Sequence, residues 1–197
     1  RTSPSHGSRC VDERKGRRPA RTARGRVDSV SRGISVVSAF RRPVTALVSG
    51  ASRGIGLAVV EHLLADADVE HVFATARHAR GSAALATLGA GHDSRLTPID
   101  MDVTDEPSVA AAAGLVASRS ARVDLVLNCA GLLHDGPDIR PERRLADIDP
   151  ANIARSFAVN ATGPLLVAKH LAPLLPRGER CLFASLSARV GSIGDNR

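Results

Sequence analysis

Three glycines, at positions 50, 54 and 56, give the clearest indication of a binding function in this sequence, because they directly follow an apolar run. That run, Val44–Val48, has the composition of a strand buried on both faces, and helical spacing of apolar residues resumes after the turn. Such a turn lets a phosphate group approach bare backbone, where the N–H groups of the first helical turn and the helix dipole favour negative charge. We therefore expect a nucleotide pyrophosphate to bind here. The alternative is a surface loop that uses glycine only for its conformational freedom.

Two arginines indicate which nucleotide would bind. Arg53 lies within the glycine turn, and Arg77 follows Glu70–Ala76, which reads as a second strand. At this place in dinucleotide-binding folds a carboxylate binds the 2′-hydroxyl of the adenine ribose, whereas an arginine accommodates a 2′-phosphate. The sequence thus favours NADP over NAD, unless both arginines are only solvated loop charges.

Five apolar stretches, separated by helical segments, must position these residues. The predicted strands are Val44–Val48, Glu70–Ala76, Leu96–Asp100, Val123–Asn128 and Cys181–Ser185. Strands that alternate with helices at these intervals indicate an α/β fold, a doubly wound parallel sheet of the Rossmann type that is truncated after about five strands.

Start and stop signals delimit the helices between the strands. Thr104 is a suitable N-cap for the helix that follows the third strand, and residues 81–91 form a helix or a loop. Asp147 or Asp149 starts a long helix that ends near Pro173–Pro176.

Several of these motifs occur in the order of a known family. Ser49–Gly56 (SGASRGIG) is similar to the cofactor loop of the short-chain dehydrogenase/reductase family, and Asp102-Val103 falls where that family contacts the adenine ring. Asn128–Gly131 (NCAG) resembles the family's Asn-Asn-Ala-Gly motif, with a cysteine as the departure. Asn160 sits as the active-site asparagine of the family does. The stretch Leu186–Asn196 further resembles the subgroup that contains C-factor and the Sniffer-type carbonyl reductases.

This resemblance covers the chain from Val44 to its last residues and implies a cofactor site for NADP. The implied cofactor-binding residues are Gly50, Ser52, Arg53, Gly54, Ile55, Gly56, Arg77, Asp102, Val103, Asn128, Ala130 and Gly131.

The resemblance also implies an activity, in which hydride moves between the nicotinamide and a carbonyl or alcohol carbon of a small-molecule substrate. The substrate oxygen gains charge as hydride arrives, so an acid is needed within hydrogen-bond reach. In the family a tyrosine exchanges this proton, a lysine four residues later lowers the pKa of the tyrosine, and a serine binds the substrate oxygen. The implied catalytic residues here are Asn160 and Ser187, with Ser185 and Ser192 as alternatives for the serine.

The tyrosine and lysine of that mechanism have no counterpart in this sequence. It contains no tyrosine, and neither Lys15 nor Lys169 is placed to form the pair. We therefore expect this chain alone to be inactive. Either it is a fragment that ends before a Tyr-x-x-x-Lys helix, or it is a non-catalytic relative, such as a dinucleotide-binding regulatory or signalling protein. The full-length protein is expected to be a homo-oligomer.

Charge divides the chain near Pro43. Residues 1–43 contain 12 Lys and Arg against 3 Asp and Glu, whereas residues 44–197 contain 15 against 17. The first stretch is poor in large apolar groups and is expected to be a disordered basic extension, while residues 44–197 form the dinucleotide-binding domain. An amphipathic face made of Val27, Val30, Ile34 and Val37 makes the extension a candidate mitochondrial or plastid transit peptide. Otherwise we expect a cytoplasmic protein.

The composition argues against several other functions. With four Phe and no Tyr or Trp, the slightly acidic domain lacks the stacking side chains of single-strand binders, so no nucleic-acid partner is expected. Cys10, Cys129 and Cys181 lack the paired spacing of zinc ligands, so no metal site is expected. No apolar stretch approaches the roughly 20 residues that span a bilayer, so no membrane partner is expected.

Overall fold

The computed structural model describes residues 37, 40, 43–92, 94–134, 139–142 and 144–188. Within these residues five strands form one sheet: β1 (Val44–Ser49), β2 (Val69–Ala76), β3 (Leu96–Asp100), β4 (Leu125–Asn128) and β5 (Leu182–Ser185). The helices between them are α1 (Gly54–Ala65), α2 (Ala83–His92), α3 (Glu106–Arg119), α4 (Pro150–Phe157) and α5 (Gly163–Leu171). A π-turn (Ala158–Thr162) joins α4 to α5, and short 3₁₀ turns cover Leu145–Asp147 and Ala172–Leu174.

The sheet has the doubly wound topology that the sequence predicts. All of its strand pairs are parallel, and the strand order is β3-β2-β1-β4-β5. The order therefore reverses between β1 and β4, where the connections leave toward opposite faces of the sheet. In folds of this type a ligand binds beyond the carboxyl ends of the strands at such a reversal.

Strand β1 is buried on both faces, as its uninterrupted apolar sequence predicts. Ala46 and Val48 belong to the core on one face, with Val60 and Leu64 of α1. Leu47 belongs to the core on the other face, where α3 and α5 pack. Because successive side chains of a strand point to opposite faces, a single central strand contributes to both cores and fixes the position of the turn that follows it.

The helix starts differ from the prediction at one point. Thr104 was predicted to cap α3, but the N-cap is Asp105, whose carboxylate accepts a hydrogen bond from the Ser108 backbone N at 3.2 Å. The Thr104 hydroxyl instead donates to the Asp102 carboxylate at 2.7 Å, so this side chain bonds within the loop before α3 and does not cap the helix. At the next helix, Asp149 rather than Asp147 is the N-cap, and it accepts from the Ala151 N at 2.8 Å.

The long helix predicted after Asp149 is interrupted by the π-turn. The N–H of Gly163 reaches the carbonyl of Ala158, which is the five-residue spacing of a π-turn. Pro164 has no N–H to offer the carbonyl of Asn160, and a proline ring also collides with the carbonyl four residues earlier in a regular helix. The proline thus gives a physical reason for the wider turn.

Most of the predicted extension lies outside the described residues, as do Val27, Val30 and Ile34, so its disorder and its targeting role stay predictions. Val37 and Phe40 are exceptions. Val37 is 3% exposed within the first core, Phe40 packs against that core, and the Phe40 N donates to the Val37 carbonyl at 2.9 Å. The domain boundary predicted at residue 44 is therefore too late for these two side chains.

Two further features are absent from the described ranges. No helix there has both the length and the apolar character to cross a bilayer. No group of three or more His, Cys, Asp or Glu side chains in that part of the chain is placed to hold a metal ion.

His71 links the stability of the sheet to pH. Its ring is half-buried on β2, and Nε2 lies 2.9 Å from the Thr97 hydroxyl on β3. Burial lowers the pKa of His71 below 6.5, and the positive charge of Arg119 acts in the same direction. A backbone hydrogen bond with Ser94 and the charge of Glu70 oppose the shift without reversing it.

We expect the free energy of unfolding to fall as the pH is lowered below 6.5. Between 6.5 and the lower pKa of the folded state, the unfolded chain binds a proton at His71 that the folded chain does not, so stability rises with pH across this window. Urea unfolding at about pH 7.5 and about pH 5.5, the range in which histidines titrate, measures the effect. The His71→Gln variant should show a flatter dependence. An identical pH dependence in both proteins would contradict the assignment.

Candidate functional site

A cleft of about 600 Å³ opens at the carboxyl ends of β1 to β4, at the reversal of strand order. Segments that follow all four strands line it, together with α4 and the π-turn. The lining residues are Gly50, Ser52, Arg53, Gly54, Ile55, Gly56, Ala76, Arg77, His78, Met101, Asp102, Val103, Thr104, Cys129, Ala130, Gly131, Leu132, Arg155, Ala158 and Val159.

The glycine turn depends on close backbone contacts. Gly50 has a φ of +70°, and a Cβ there would lie 2.6 Å from the Ala130 backbone N. A Cβ on Gly56 would lie 2.2 Å from the carbonyl oxygen of Gly50. These distances leave no room for a side chain. The turn after β1 therefore packs directly on the turn after β4 and on the first turn of α1.

Gly54, the first residue of α1, differs because its missing side chain faces open space. Its φ is +57°, and nothing lies within 4 Å of the place of a Cβ. The N-cap residue, Arg53, makes no side-chain capping bond, and the first turn of α1 contains no acidic residue. The N-termini of α3 and α4, in contrast, are capped by Asp105 and Asp149. The α1 terminus thus presents backbone and positive dipole to the cleft, which suits an anionic group.

Asn128 lies beneath the cleft rather than in its wall. It is 2% exposed, and its side-chain oxygen accepts a hydrogen bond from the hydroxyl of Ser49, its partner residue on β1. The Cys129 N donates to the Ser49 carbonyl at 3.1 Å, and the Leu186 N donates to the Asn128 carbonyl at 3.0 Å. Asn128 therefore ties together the ends of β1, β4 and β5 beneath the cleft, and its contact with the cofactor stays a prediction.

Asp102 lies in the wall of the cleft beyond β3. Its carboxylate accepts from the Thr104 backbone N at 2.9 Å and from the Thr104 hydroxyl at 2.7 Å. Partial burial raises the pKa of Asp102, but these two hydrogen bonds and the charge of Arg77 outweigh it and leave the pKa below its usual value. Asp102 is thus ionised at neutral pH and holds the loop in place. Val103, its neighbour in the wall, is buried, and a Cβ on Gly163 at the start of α5 would lie 3.0 Å from the Val103 side chain.

Positive side chains dominate the charge of the cleft. Arg53, Arg77 and Arg155 line it beside His78, and Asp102 is the one carboxylate among the described lining residues. Arg53 and Arg77 are the two arginines that the sequence selects for a phosphate. The structure brings them to the same cleft from the turns after β1 and β2.

Asn160 lies in the π-turn and holds the loop after β4. Its side-chain oxygen accepts from the Leu132 N at 2.8 Å, and its amide nitrogen donates to the Leu132 carbonyl at 2.7 Å and to the Ser156 hydroxyl at 3.2 Å. Both backbone groups of Leu132 are therefore bound by one side chain. Asn160 fixes the loop that carries Gly131, and a Cβ on Gly131 would lie 3.6 Å from the Asn160 side-chain oxygen.

The described serines among the predicted catalytic residues do not line the cleft. Ser185 ends β5 and Ser187 follows it, and both are exposed and absent from the described cleft wall. Ser192 and the rest of the stretch 189–197 lie outside the described residues. Lys169 is engaged elsewhere, because its ammonium group donates to Glu106 Oε1 at 2.6 Å between α5 and α3. Glu106 also contacts His170 at 3.0 Å, and both contacts lower the pKa of Glu106.

Sequence reasoning missed several residues of the cleft. Ala76, Met101 and Cys129 sit at or just after strand ends, so strand position alone could have identified them. Burial raises the pKa of the Cys129 thiol, which keeps it protonated at neutral pH. Arg155 and Val159 lacked any local signal, because their place depends on how α4 and the π-turn pack over the sheet.

The profile of the short chain dehydrogenase family matches residues 44–194. Momilactone A synthase of Oryza sativa subsp. japonica is 32% identical over 170 residues, which are 83% of this chain and 59% of that protein. The short chain dehydrogenase gsfK of Penicillium aethiopicum is 29% identical over 77% of this chain and also 59% of its own length. This chain thus spans about three fifths of these relatives.

Solved structures of carbonyl reductases are also similar to this chain. The NADPH-bound carbonyl reductase from chicken fatty liver superposes with a TM-score of 0.59 at 33% identity, covering 68% of this chain and 48% of that one. Sniffer of Caenorhabditis elegans, assigned as a carbonyl reductase, superposes with a TM-score of 0.64 at 31% identity, covering 79% and 67%. The chain therefore belongs to the short-chain dehydrogenase/reductase family of oxidoreductases, whose members act on small-molecule substrates, and it is similar to the carbonyl reductases among them.

The glycines of the turn should differ sharply in what they tolerate. Gly50→Ala and Gly56→Ala place a Cβ within 2.6 Å and 2.2 Å of backbone atoms, so the backbone must shift and the unfolding midpoint should fall markedly. Gly54→Ala meets no atom and should cost only the left-handed conformation of an alanine, about 1 kcal/mol. Denaturant titration of the three variants measures this order, with Gly89→Ala in α2, which also meets no atom, as the control. Equal losses at Gly54 and Gly56 would contradict the packing described here.

Proposed function

We propose that this chain binds NADP and is the cofactor-binding part of an oxidoreductase. The enzyme would transfer hydride between the nicotinamide and a carbonyl or alcohol carbon of a small molecule. The observation that carries the proposal is the shared cleft, into which the uncapped N-terminus of α1 and the guanidinium-bearing side chains of Arg53 and Arg77 all open. Family membership and the NADPH-bound carbonyl reductase among the similar structures support it.

The parts of the cleft fit successive parts of a dinucleotide. The diphosphate belongs at the N-terminus of α1, since Gly54 leaves open space there and the backbone N–H groups favour an anion. The adenine belongs against the loop of Asp102 and Val103, which Thr104 holds in place. The 2′-phosphate belongs between Arg53 and Arg77, because two positive side chains bind a phosphate dianion far better than a ribose hydroxyl. When bound, NADP supplies the hydride chemistry.

On the nicotinamide side, this chain contributes loop geometry. Asn160 binds both backbone groups of Leu132 and thereby holds the segment Cys129–Leu132 at the mouth of the cleft. Ser187 follows the adjacent strand and is our candidate for binding the substrate oxygen. Neither residue can donate a proton as a phenol does, since an amide and an aliphatic hydroxyl are far weaker acids.

Affinity for NADPH tests the cofactor proposal. We expect the chain to bind NADPH more tightly than NADH by at least about tenfold, the factor that one charge-assisted contact supplies. Arg77→Ala should remove most of this difference by weakening NADPH binding alone. Calorimetric titration with both dinucleotides measures it, with Arg119→Ala as the matched control, since Arg119 is an exposed arginine at the end of α3, beside the amino ends of β1 and β2. A wild-type chain that binds neither dinucleotide would refute the proposal, and an unchanged preference in Arg77→Ala would refute the role of Arg77.

Turnover is a separate question, because the sequence has no tyrosine and Lys169 is held by Glu106. We expect this chain to bind NADPH without oxidising it when aldehydes and ketones are added, as monitored by nicotinamide absorbance. The second candidate function is a dinucleotide-binding regulatory protein, which NADPH binding without turnover in a chain that also carries the tyrosine and the lysine would favour. Oxidation of NADPH that depends on the added carbonyl compound would show that another residue donates the proton.

A further inference from the structure

The turn between β2 and α2 carries three side chains that can bear positive charge, and they do not all face the cleft. Arg77 and His78 line it. Arg80 points to the end of β3, where its Nε donates to Asp100 Oδ2 at 2.8 Å. The backbone N of the same residue donates to Asp100 Oδ1 at 3.0 Å. One carboxylate therefore binds both the main chain and the side chain of Arg80.

The strands fix the other end of this turn. Ala76, the last residue of β2, pairs with Asp100, the last residue of β3, and the Met101 N donates to the Ala76 carbonyl at 2.8 Å. Ala79 is 1% exposed, and its carbonyl accepts from the Ser82 N at 3.1 Å. The exposed residues Arg77 and His78 thus lie between an anchored strand end and the bonds made by Asp100.

Stability alone does not account for the Asp100–Arg80 pair. Its side chains are 35% and 70% exposed, and ion pairs at that exposure contribute little to folding. The backbone hydrogen bond of Arg80 is the leading cause that lowers the pKa of Asp100, ahead of the guanidinium bond. The carboxylate is therefore charged at neutral pH, and it bonds to the main chain of the turn as well as to the guanidinium group. The hydrogen bond to the Arg80 backbone N fixes the path of the turn.

We propose that Asp100 is a positioning residue for cofactor preference, which holds the β2–α2 turn so that Arg77 and His78 face the 2′-phosphate of NADP. The inference rests on the proposed function, namely that NADP occupies this cleft. Asp100 itself is absent from the described cleft wall, so it acts through the turn and not by contact.

Replacement of Asp100 gives a readout whose sign separates positioning from simple electrostatics. By Coulomb's law alone, removing a carboxylate near a phosphate site strengthens NADPH binding. If Asp100 positions the turn, Asp100→Ala should instead weaken NADPH binding about tenfold, the scale of one lost charge-assisted contact. NADH binding, which needs no 2′-phosphate contact, should change by less than about twofold on the same reasoning. A merely structural role would weaken both dinucleotides alike.

Calorimetric titration of the whole chain with NADPH and NADH provides the test. The matched control is Asp147→Ala, which removes a comparable exposed ion pair. Arg144 donates to Asp147 at 2.6 Å and 3.1 Å, and neither residue lines the described cleft. This control should keep the wild-type ratio of affinities. Asp100→Asn keeps the size and one acceptor but not the charge, so it should lose part of the preference and decides the question if Asp100→Ala does not fold.

Several outcomes would overturn the inference. A wild-type affinity ratio in Asp100→Asn and Asp100→Ala would do so, as would a gain in NADPH affinity, which would mean that released Arg80 binds the phosphate. An equal loss for both dinucleotides would assign Asp100 a purely structural role. Failure of the proposed function is distinguishable, because the wild-type chain itself would then bind neither dinucleotide.

Discussion

The contact between two backbone turns governs the site. Gly50 follows β1, Ala130 follows β4, and the two approach so closely that a single methyl group on Gly50 would overlap the Ala130 main chain. The paired strand ends beneath them, joined by Ser49 and Asn128, allow this approach. Because the strand order reverses at this pair, the connections diverge and leave a cleft above the contact. The position of the α1 terminus, and hence of any anion bound there, follows from the same contact.

Much of this arrangement could be predicted from the sequence, because its determinants are local. The five strands were found within a few residues of their observed bounds, since each is a continuous apolar run limited by polar or glycine residues. The glycine spacing likewise indicates a strand-turn-helix unit, and its place beside Asn128–Gly131 follows once the parallel topology is known. The prediction of a single long helix after Asp149 was wrong in one respect, because Pro164 widens the turn that precedes it.

Other features could not be predicted, because they depend on contacts distant in sequence. Asn128 has the same amide whether it faces a ligand or Ser49, and only the register of β1 with β4 decides between them. Arg77 and Arg80 are the same residue type in the same turn, yet only Arg80 donates to Asp100 on the neighbouring strand, while Arg77 lines the cleft. Val37 lies in a basic stretch poor in large apolar groups, and its burial can be predicted only when the core that it contacts is known.

The π-turn between α4 and α5 accommodates one residue more than a regular helix would use over the same length. The wider turn takes up this residue locally, so the two helices keep the relative rotation that a continuous helix would give them. Val167 and Leu171 can therefore bury α5 in the core while Arg155 stays in the cleft wall, although α4 has no fully buried side chain. The same residue wound as part of a regular helix would instead turn α4 by about 100° and carry Arg155 away from the cleft. The π-turn thereby lets the chain pass Pro164 without loss of the cleft wall.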